Sequence, residues 1–272
     1  MIPVYISNGC IITRNNGRDY RLIPRYAKQL PVDGVEFLMY NVWDDDVKGL
    51  RSFLKGCGLS FPVTHMDKQV GEMLAESGLT NKSEILRYFK RDLATACELG
   101  SKKLVLHLWN GPCSDRNFDS ALSLFGDLYE IADQEGVLLT AENVACKRNI
   151  CLDHLDALLK EYPFARFTFD TKMAFLHGEN ELLAKPEWAH LIPAISHLHV
   201  NDSRMEDAGG GRLPIMHIGD GDVDFDVFFA LLKERKFCGT ATIESTSVLE
   251  DGSVQIEKLT KSIETVRKGL NG

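Results

Sequence analysis

The chain has 272 residues, 44% of them hydrophobic and 26% charged, enough to bury one large core or two small ones. A formal net charge of -8 sets it against a polyphosphate partner, since the basic pairs Lys102-Lys103 and Lys147-Arg148 are short and separate. No apolar run nears the ~20 residues of a membrane span, and seven scattered cysteines without a CxxC pair point to thiols in a reducing, cytoplasmic setting rather than to disulfides or a zinc knuckle.

Strand-like and helix-like runs alternate along the whole chain. The N-terminal "IPVYIS" reads as a strand, not a signal peptide, because no basic leader precedes it. An amphipathic "DYRLIPRYAKQL" follows, then the strand "GVEFLMY" and the helix "DVKGLRSFLKGCG". The third strand, "LSFPVTHM", leads through a polar loop to the helix "SEILRYFKRDLATACELG". "KKLVLHLW" precedes "DSALSLFGDLYEIADQEG", and "VLLTAENVA" precedes "CLDHLDALLKEYP". "ARFTFDT" is followed by "AFLHGENELLAKPEWAHLI" read as one helix, and "ISHLHVND" by a Gly-rich loop and "VDFDVFFALLKERKF". "GTATIEST" and "SVQIEKLTKSIETVRKGL" close the series. Asp19, Ser83, Asp119 and Ser253 are the expected helix caps, and Gly58, Gly100 and Gly136 the expected stops.

Eight strand–helix units with near-continuous apolar strands predict a parallel sheet buried on both faces, closed as a single-domain (β/α)8 TIM barrel over residues 1–272. An open doubly wound sheet is the alternative. Its phosphate-binding turn should follow the first strand, where "NGCIITRNNG" lacks the GxGxxG spacing.

In such a barrel the active site lies at the C-terminal strand ends. Those ends carry Glu36, His65, His107, Glu142, Asp170, His199 and Glu244 on strands two to eight. A lone Asp at such a point is a helix cap more often than a catalyst, but seven ionisable residues in succession predict a shared site. Glu142, Asp170, His199 and Glu244 offer three carboxylates and one imidazole, a set suited to one divalent cation among Mn²⁺, Mg²⁺, Co²⁺ and Zn²⁺. Without a cation, three converging carboxylates would repel, and some would take up protons.

The strand-end motifs "HMDKQ", "LVLHLWN", "TAENVA", "FDTKM", "HLHVNDS", "HIGDGDVD" and "TIESTS" resemble, in order, those of the xylose-isomerase-like TIM barrel superfamily, which includes sugar phosphate isomerase/epimerase-type proteins. The resemblance implies that Glu142, Asp170, His199 and Glu244 hold the metal. It implies that His65 and His107 face the substrate or a second metal, and that His217 reaches the substrate from the loop after strand seven. The implied reaction is isomerisation or epimerisation of a small sugar or polyol ketone, with Glu142 and Glu244 passing a proton on opposite sides of one carbon. An inosose-type dehydratase, an endonuclease IV-like phosphodiesterase and a non-catalytic sugar-binding barrel are the alternatives. Met173 stands where ketose epimerases and the endonucleases commonly carry His, which, with the acidic charge, argues against DNA as a partner.

Several assignments stay open at this level. Glu36 is either a site residue or a strand-end partner of an Arg. Trp109 is either rim packing or a face for a sugar, and Arg212 is either an anion contact on a mobile cover or a solvated loop residue. His197 shares a strand face with His199 and reads as a hydrogen-bonded core histidine. A homo-oligomer is compatible with everything above.

Overall fold

In the computed structural model, which describes residues 1–111, 116–146, 150–205 and 214–272, eight parallel strands close into a barrel in chain order. They are β1 Val4–Ser7, β2 Val35–Leu38, β3 Val63–His65, β4 Lys103–Leu106, β5 Leu138–Glu142, β6 Arg166–Asp170, β7 Ile195–Val200 and β8 Thr240–Ile243. Around them lie α1 Ile23–Ala27, α2 Val47–Gly56, α3 Gln69–Ser77, α4 Lys82–Leu99, α5 Phe118–Gln134, α6 Cys151–Glu161, α7 Thr171–Leu176, α8 Glu179–Leu182, α9 Phe225–Glu234 and α10 Ile256–Asn271. The predicted (β/α)8 architecture is the one observed. Among the described residues no helix is long and apolar enough to cross a membrane.

The strands are less uniformly apolar than their sequences suggest. In β6 and β7, Phe167, Phe169, Leu198 and Val200 belong to the main core shared with the helices. The alternate residues Thr168, Asp170, His197 and His199 point into the barrel. Thr140 and Thr168 share a 2.8 Å hydrogen bond there, and the apolar trio Tyr5, Val63 and Val105 forms a small separate cluster. Barrel interiors are ordinarily filled by branched apolar side chains. This one is largely polar, and that polarity carries the site.

Three local readings are corrected. The polar loop after strand three contains the helix α3, whose Val70 and Leu74 are buried. Gly71 makes that packing feasible, since a Cβ there would meet the His107 carbonyl oxygen at 2.4 Å. The long helix after strand six is α7, α8 and a 3-10 segment Ala189–Ala194, broken at Gly178 in the left-handed region and again around Pro186 and Pro193. Of the expected caps, Asp19 caps a short 3-10 turn, Ser83 and Asp119 lie inside α4 and α5, and Ser253 precedes α10 without capping it. The stops fare better: Gly58, Gly100 and Gly136 all take positive φ at or just past helix ends.

Candidate active site at the C-terminal strand ends

Two carboxylates organise the barrel mouth, each between histidines. Glu36, on β2, reaches across the interior to β7. Its Oε2 accepts from His197 Nε2 at 2.8 Å and its Oε1 from His199 Nε2 at 2.9 Å. Burial alone would raise the Glu36 carboxyl, but the two imidazoles, His199 foremost, hold it well below the usual range. Beneath it, Lys103 Nζ donates to Thr240 Oγ1 and to the Ser196 carbonyl, both at 2.7 Å. An ammonium can only donate, so the Thr240 hydroxyl passes its own hydrogen to His197 Nδ1, 2.7 Å away. That fixes the His197 tautomer, with Nε2–H towards Glu36. Burial lowers His197 to about 4, which keeps the ring neutral.

Glu36 being acceptor-only, His199 must present its Nε2–H to it, which leaves Nδ1 as the free end of the ring. His199 Nδ1 is buried and faces Glu142 Oε1 at 3.3 Å, an ion-pair contact without the alignment of a well-formed hydrogen bond. An imidazole oriented by a carboxylate with its other nitrogen unsatisfied is the arrangement found behind metal-ligating histidines.

Glu142, at the end of β5, faces the cavity. Its Oε2 lies 3.1 Å from His65 Nε2 and 3.0 Å from His107 Nε2. His65 donates Nδ1–H to the Met66 carbonyl at 2.7 Å, so hydrogen bonding to Glu142 as well requires both nitrogens to be protonated. Burial opposes that charge, but Glu142 overcomes it and raises His65 above its ordinary value. His107 is lowered to about 4 by burial, and its Nδ1 has no partner. Glu142 is itself held well below the carboxylate range, its burial outweighed by His107 and His199. His199 is held well above the usual imidazole range, since Glu36, Glu142 and Glu244 together outweigh its burial.

Asp170, at the end of β6, has two roles. Its Oδ1 caps α7 by accepting from Met173 N at 2.7 Å, and its Oδ2 accepts from Asn201 Nδ2 at 2.9 Å. Asn143 clamps its backbone from the other side. Burial raises the Asp170 carboxyl to about 6, with Lys172 opposing and Glu142 and Glu244 reinforcing the shift.

One donor atom each from Glu142, Asp170 and His199 lies within 4.8 Å of the others, and His65, His107 and Glu142 form a second such group. Glu244 stands outside both groups, half-buried after β8 on the wall of the same cavity. That cavity has a volume of about 610 Å³, the size of a small-molecule site. Glu142, Asp170, Glu244, His65 and His107 line it together with Arg14, Arg18, Lys68 and Lys172. Orphaned imidazole nitrogens beside an oxygen-rich donor set fit a hard or borderline divalent cation.

The remaining expected residues lie elsewhere. Glu36 does not line the cavity; it is fully buried behind His199. Trp109 is buried too, its Nε1–H donating to the Val144 carbonyl and its ring edge-on to Phe118 and His154, so it presents no face to a ligand. His217 is buried beside Gln255 and Ser247, each 3.4 Å from its Nε2, and is not on the cavity wall. Its "GDG" neighbours are held by Asp202, which accepts from the backbone of Gly219, Gly221 and Val223. Arg212 lies outside the described residues.

Sequence reasoning passed over Arg18, Asn143 and Asn201. Arg18 takes φ 49°, stacks its guanidinium 4.3 Å from the centre of the Tyr40 ring, and leaves Nε buried without a partner. The Asn residues follow strand-end acids in "AEN" and precede one in "HVND", a signal that marks them as braces.

The fold and this mouth define a parallel barrel that gathers carboxylate and imidazole side chains from successive strand ends. The chain belongs to the xylose isomerase-like TIM barrel family, whose model matches residues 24–268. No curated protein matches it in sequence. Among solved structures, it resembles a D-allulose 3-epimerase from Methylomonas sp. at 18% identity and a TM-score of 0.74, over 99% of this chain and 98% of that one. A D-tagatose 3-epimerase-like protein is similar at 18% identity and a TM-score of 0.73, over 99% of this chain and 97% of the other. The IolI protein, solved with a zinc atom, is similar at 16% identity and a TM-score of 0.67, over 99% and 98%.

Proposed function

We propose that the protein is a divalent-metal-dependent isomerase or epimerase of a small sugar or polyol ketone. The observation that carries this reading is His199: its Nε2 is tied to Glu36, and its buried, unsatisfied Nδ1 is turned towards Glu142 in the group it forms with Asp170. Glu142, Asp170 and His199 would hold the cation, with Glu244 from the same wall completing the set. The cation, when bound, supplies Lewis-acid polarisation of a carbonyl and a neighbouring hydroxyl.

The protein's own groups do the rest. Glu142 and Glu244 act on opposite faces of the carbon beside the carbonyl, one removing its proton and the other returning one. His65 and His107 hold Glu142 in its ionised form and orient it, a hydrogen-bonding role rather than that of a second permanent metal site. Arg18, with Lys68 and Lys172 nearby on the cavity wall, binds the end of the substrate away from the reacting carbon.

Incubation of the metal-loaded protein with a panel of ketoses and inososes in deuterium oxide tests this. One non-exchangeable deuterium should enter the substrate, and removal of the metal by a chelator should stop it. Loss of water from an inosose would instead assign the same site to dehydration. Metal-loaded protein that neither exchanges nor converts any member of the panel contradicts an enzymatic reading.

A further inference from the structure

Away from the mouth, two of the scattered cysteines meet. Cys146 and Cys151 flank the loop that leaves β5 four residues beyond Glu142, and their sulfurs are 3.9 Å apart. His177, just past the end of α7, accepts the Cys146 backbone N–H on Nε2 at 3.3 Å. One donor atom from each of the three lies within 4.8 Å of the others. Both cysteines are buried and His177 is half-buried.

We propose that Cys146, Cys151 and His177 form a second metal site, which takes a thiophilic divalent cation of the zinc class and clasps the β5–α6 loop to the end of α7. The spacing suits it: two thiolates about 2.3 Å from one tetrahedral ion stand about 3.8 Å apart. The ring state suits it as well. His177 Nε2 carries a lone pair, spent on the Cys146 N–H in this structure, so metal binding there exchanges a long hydrogen bond for a metal bond.

Charge balance gives a separate argument. Glu179, the first residue of α8, is fully buried against the start of α6, with Oε1 accepting from Leu152 N at 3.1 Å and Oε2 unpartnered. With this buried acid beside it, a bare thiolate at Cys151 would be uncompensated and needs a cation next to it. A dication with two thiolates is neutral as a unit, so the filled site adds no net charge to this buried region. On binding, each thiol gives its proton to solvent, sulfur–metal bonds replace the S–H bonds, and nothing is oxidised or reduced. One coordination position is left to a water.

The site is distinguishable from the one at the barrel mouth because the donor groups gathered there are carboxylates and imidazoles, while the sulfur of Cys10 on the cavity wall is held by the Ile243 carbonyl and the Ser245 N–H. Cobalt(II) therefore reports on the two separately: only thiolate ligation gives an intense sulfur-to-cobalt charge-transfer band. Titration of the reduced full-length protein with cobalt(II) should produce that band, and zinc should abolish it by displacement. Cys146→Ala and Cys151→Ala should each reduce it to background, and Asp170→Asn should leave it intact. His177→Gln, at a half-buried position that is safer for folding, should weaken cobalt binding by about tenfold or more. The proposal is overturned if reduced wild-type protein gives no band, if the band survives both cysteine substitutions, or if it disappears with Asp170→Asn. Each result stands whether or not the protein turns over a sugar.

Discussion

Glu36 and Glu142 make an instructive pair. Each is a buried glutamate among histidines, two around Glu36 and three around Glu142, and exposure does not separate them, at 0% and 2%. What separates them is completion. Both Glu36 oxygens are taken by imidazole N–H groups, and the chain of bonds continues through His197 and Thr240 to Lys103. Glu142 opens on the cavity, and around it His107 Nδ1 lacks a partner and His199 Nδ1 has only a loose 3.3 Å contact with Glu142 Oε1. A finished network fixes geometry, whereas an unfinished one is waiting for a ligand. His199 belongs to both and carries the rigidity of the first to the second.

Substitution at each glutamate should therefore fail differently. Glu142→Gln should lower deuterium exchange into substrate about 10²–10⁴-fold while the protein stays folded by circular dichroism. Full exchange would remove Glu142 from the proton path. Glu36→Gln should act on stability and metal retention instead. An amide has only one acceptor oxygen for two N–H donors, so one donor is stranded at a cost of about 2–4 kcal/mol. Metal affinity should fall about 10–100-fold as His199 loses its orientation. Urea unfolding and metal titration read the two effects, and an unchanged variant would dissolve the distinction drawn above.

Lys103 tests the far end of the finished network. Burial lowers its ammonium to about 8 from an ordinary 10.5. Between those values the unfolded chain binds more protons than the folded one. The stabilising term is therefore present at high pH and is lost as pH falls through 8. Unfolding free energy should rise by about 1–3 kcal/mol across that interval in the wild type, partial exposure reducing the effect, and Lys103→Met should lack this rise. Parallel pH profiles for the two proteins would contradict it. The smallest effect is expected on the cationic wall: Arg18→Met should raise KM about tenfold with kcat changed less, as for loss of one charged hydrogen bond to substrate. A fall in kcat alone would move Arg18 from binding to chemistry.

Much of this was legible in the sequence, for a physical reason. A parallel strand that ends on an ionisable residue must send it into the barrel mouth, so Glu142, Asp170, His199, His65 and His107 could be placed by reading where apolar runs stop. Asp170 is both the cap of α7 and a member of the donor group, so the two readings of a strand-end Asp are not exclusive. What could not be read depends on contacts across the barrel. Glu36 meets His197 and His199 from more than 160 positions away, and no local pattern announces it. Trp109 sits two residues beyond His107, yet its direction depends on Val144 and His154, which arrive with later elements. The helix α3 was hidden by its polar flanks, although Val70, Met73 and Leu74 have helical spacing.

Manganese(II) binding tests the central claim most directly, because manganese favours the oxygen-rich mouth over the cysteine site. Titration of the full-length protein, followed by electron paramagnetic resonance, should give one bound ion per chain. Asp170→Asn should abolish or severely weaken it, and Glu36→Gln should weaken it about 10–100-fold. Wild-type protein that binds neither manganese nor zinc at the mouth, or binding indifferent to Asp170→Asn, would contradict the account.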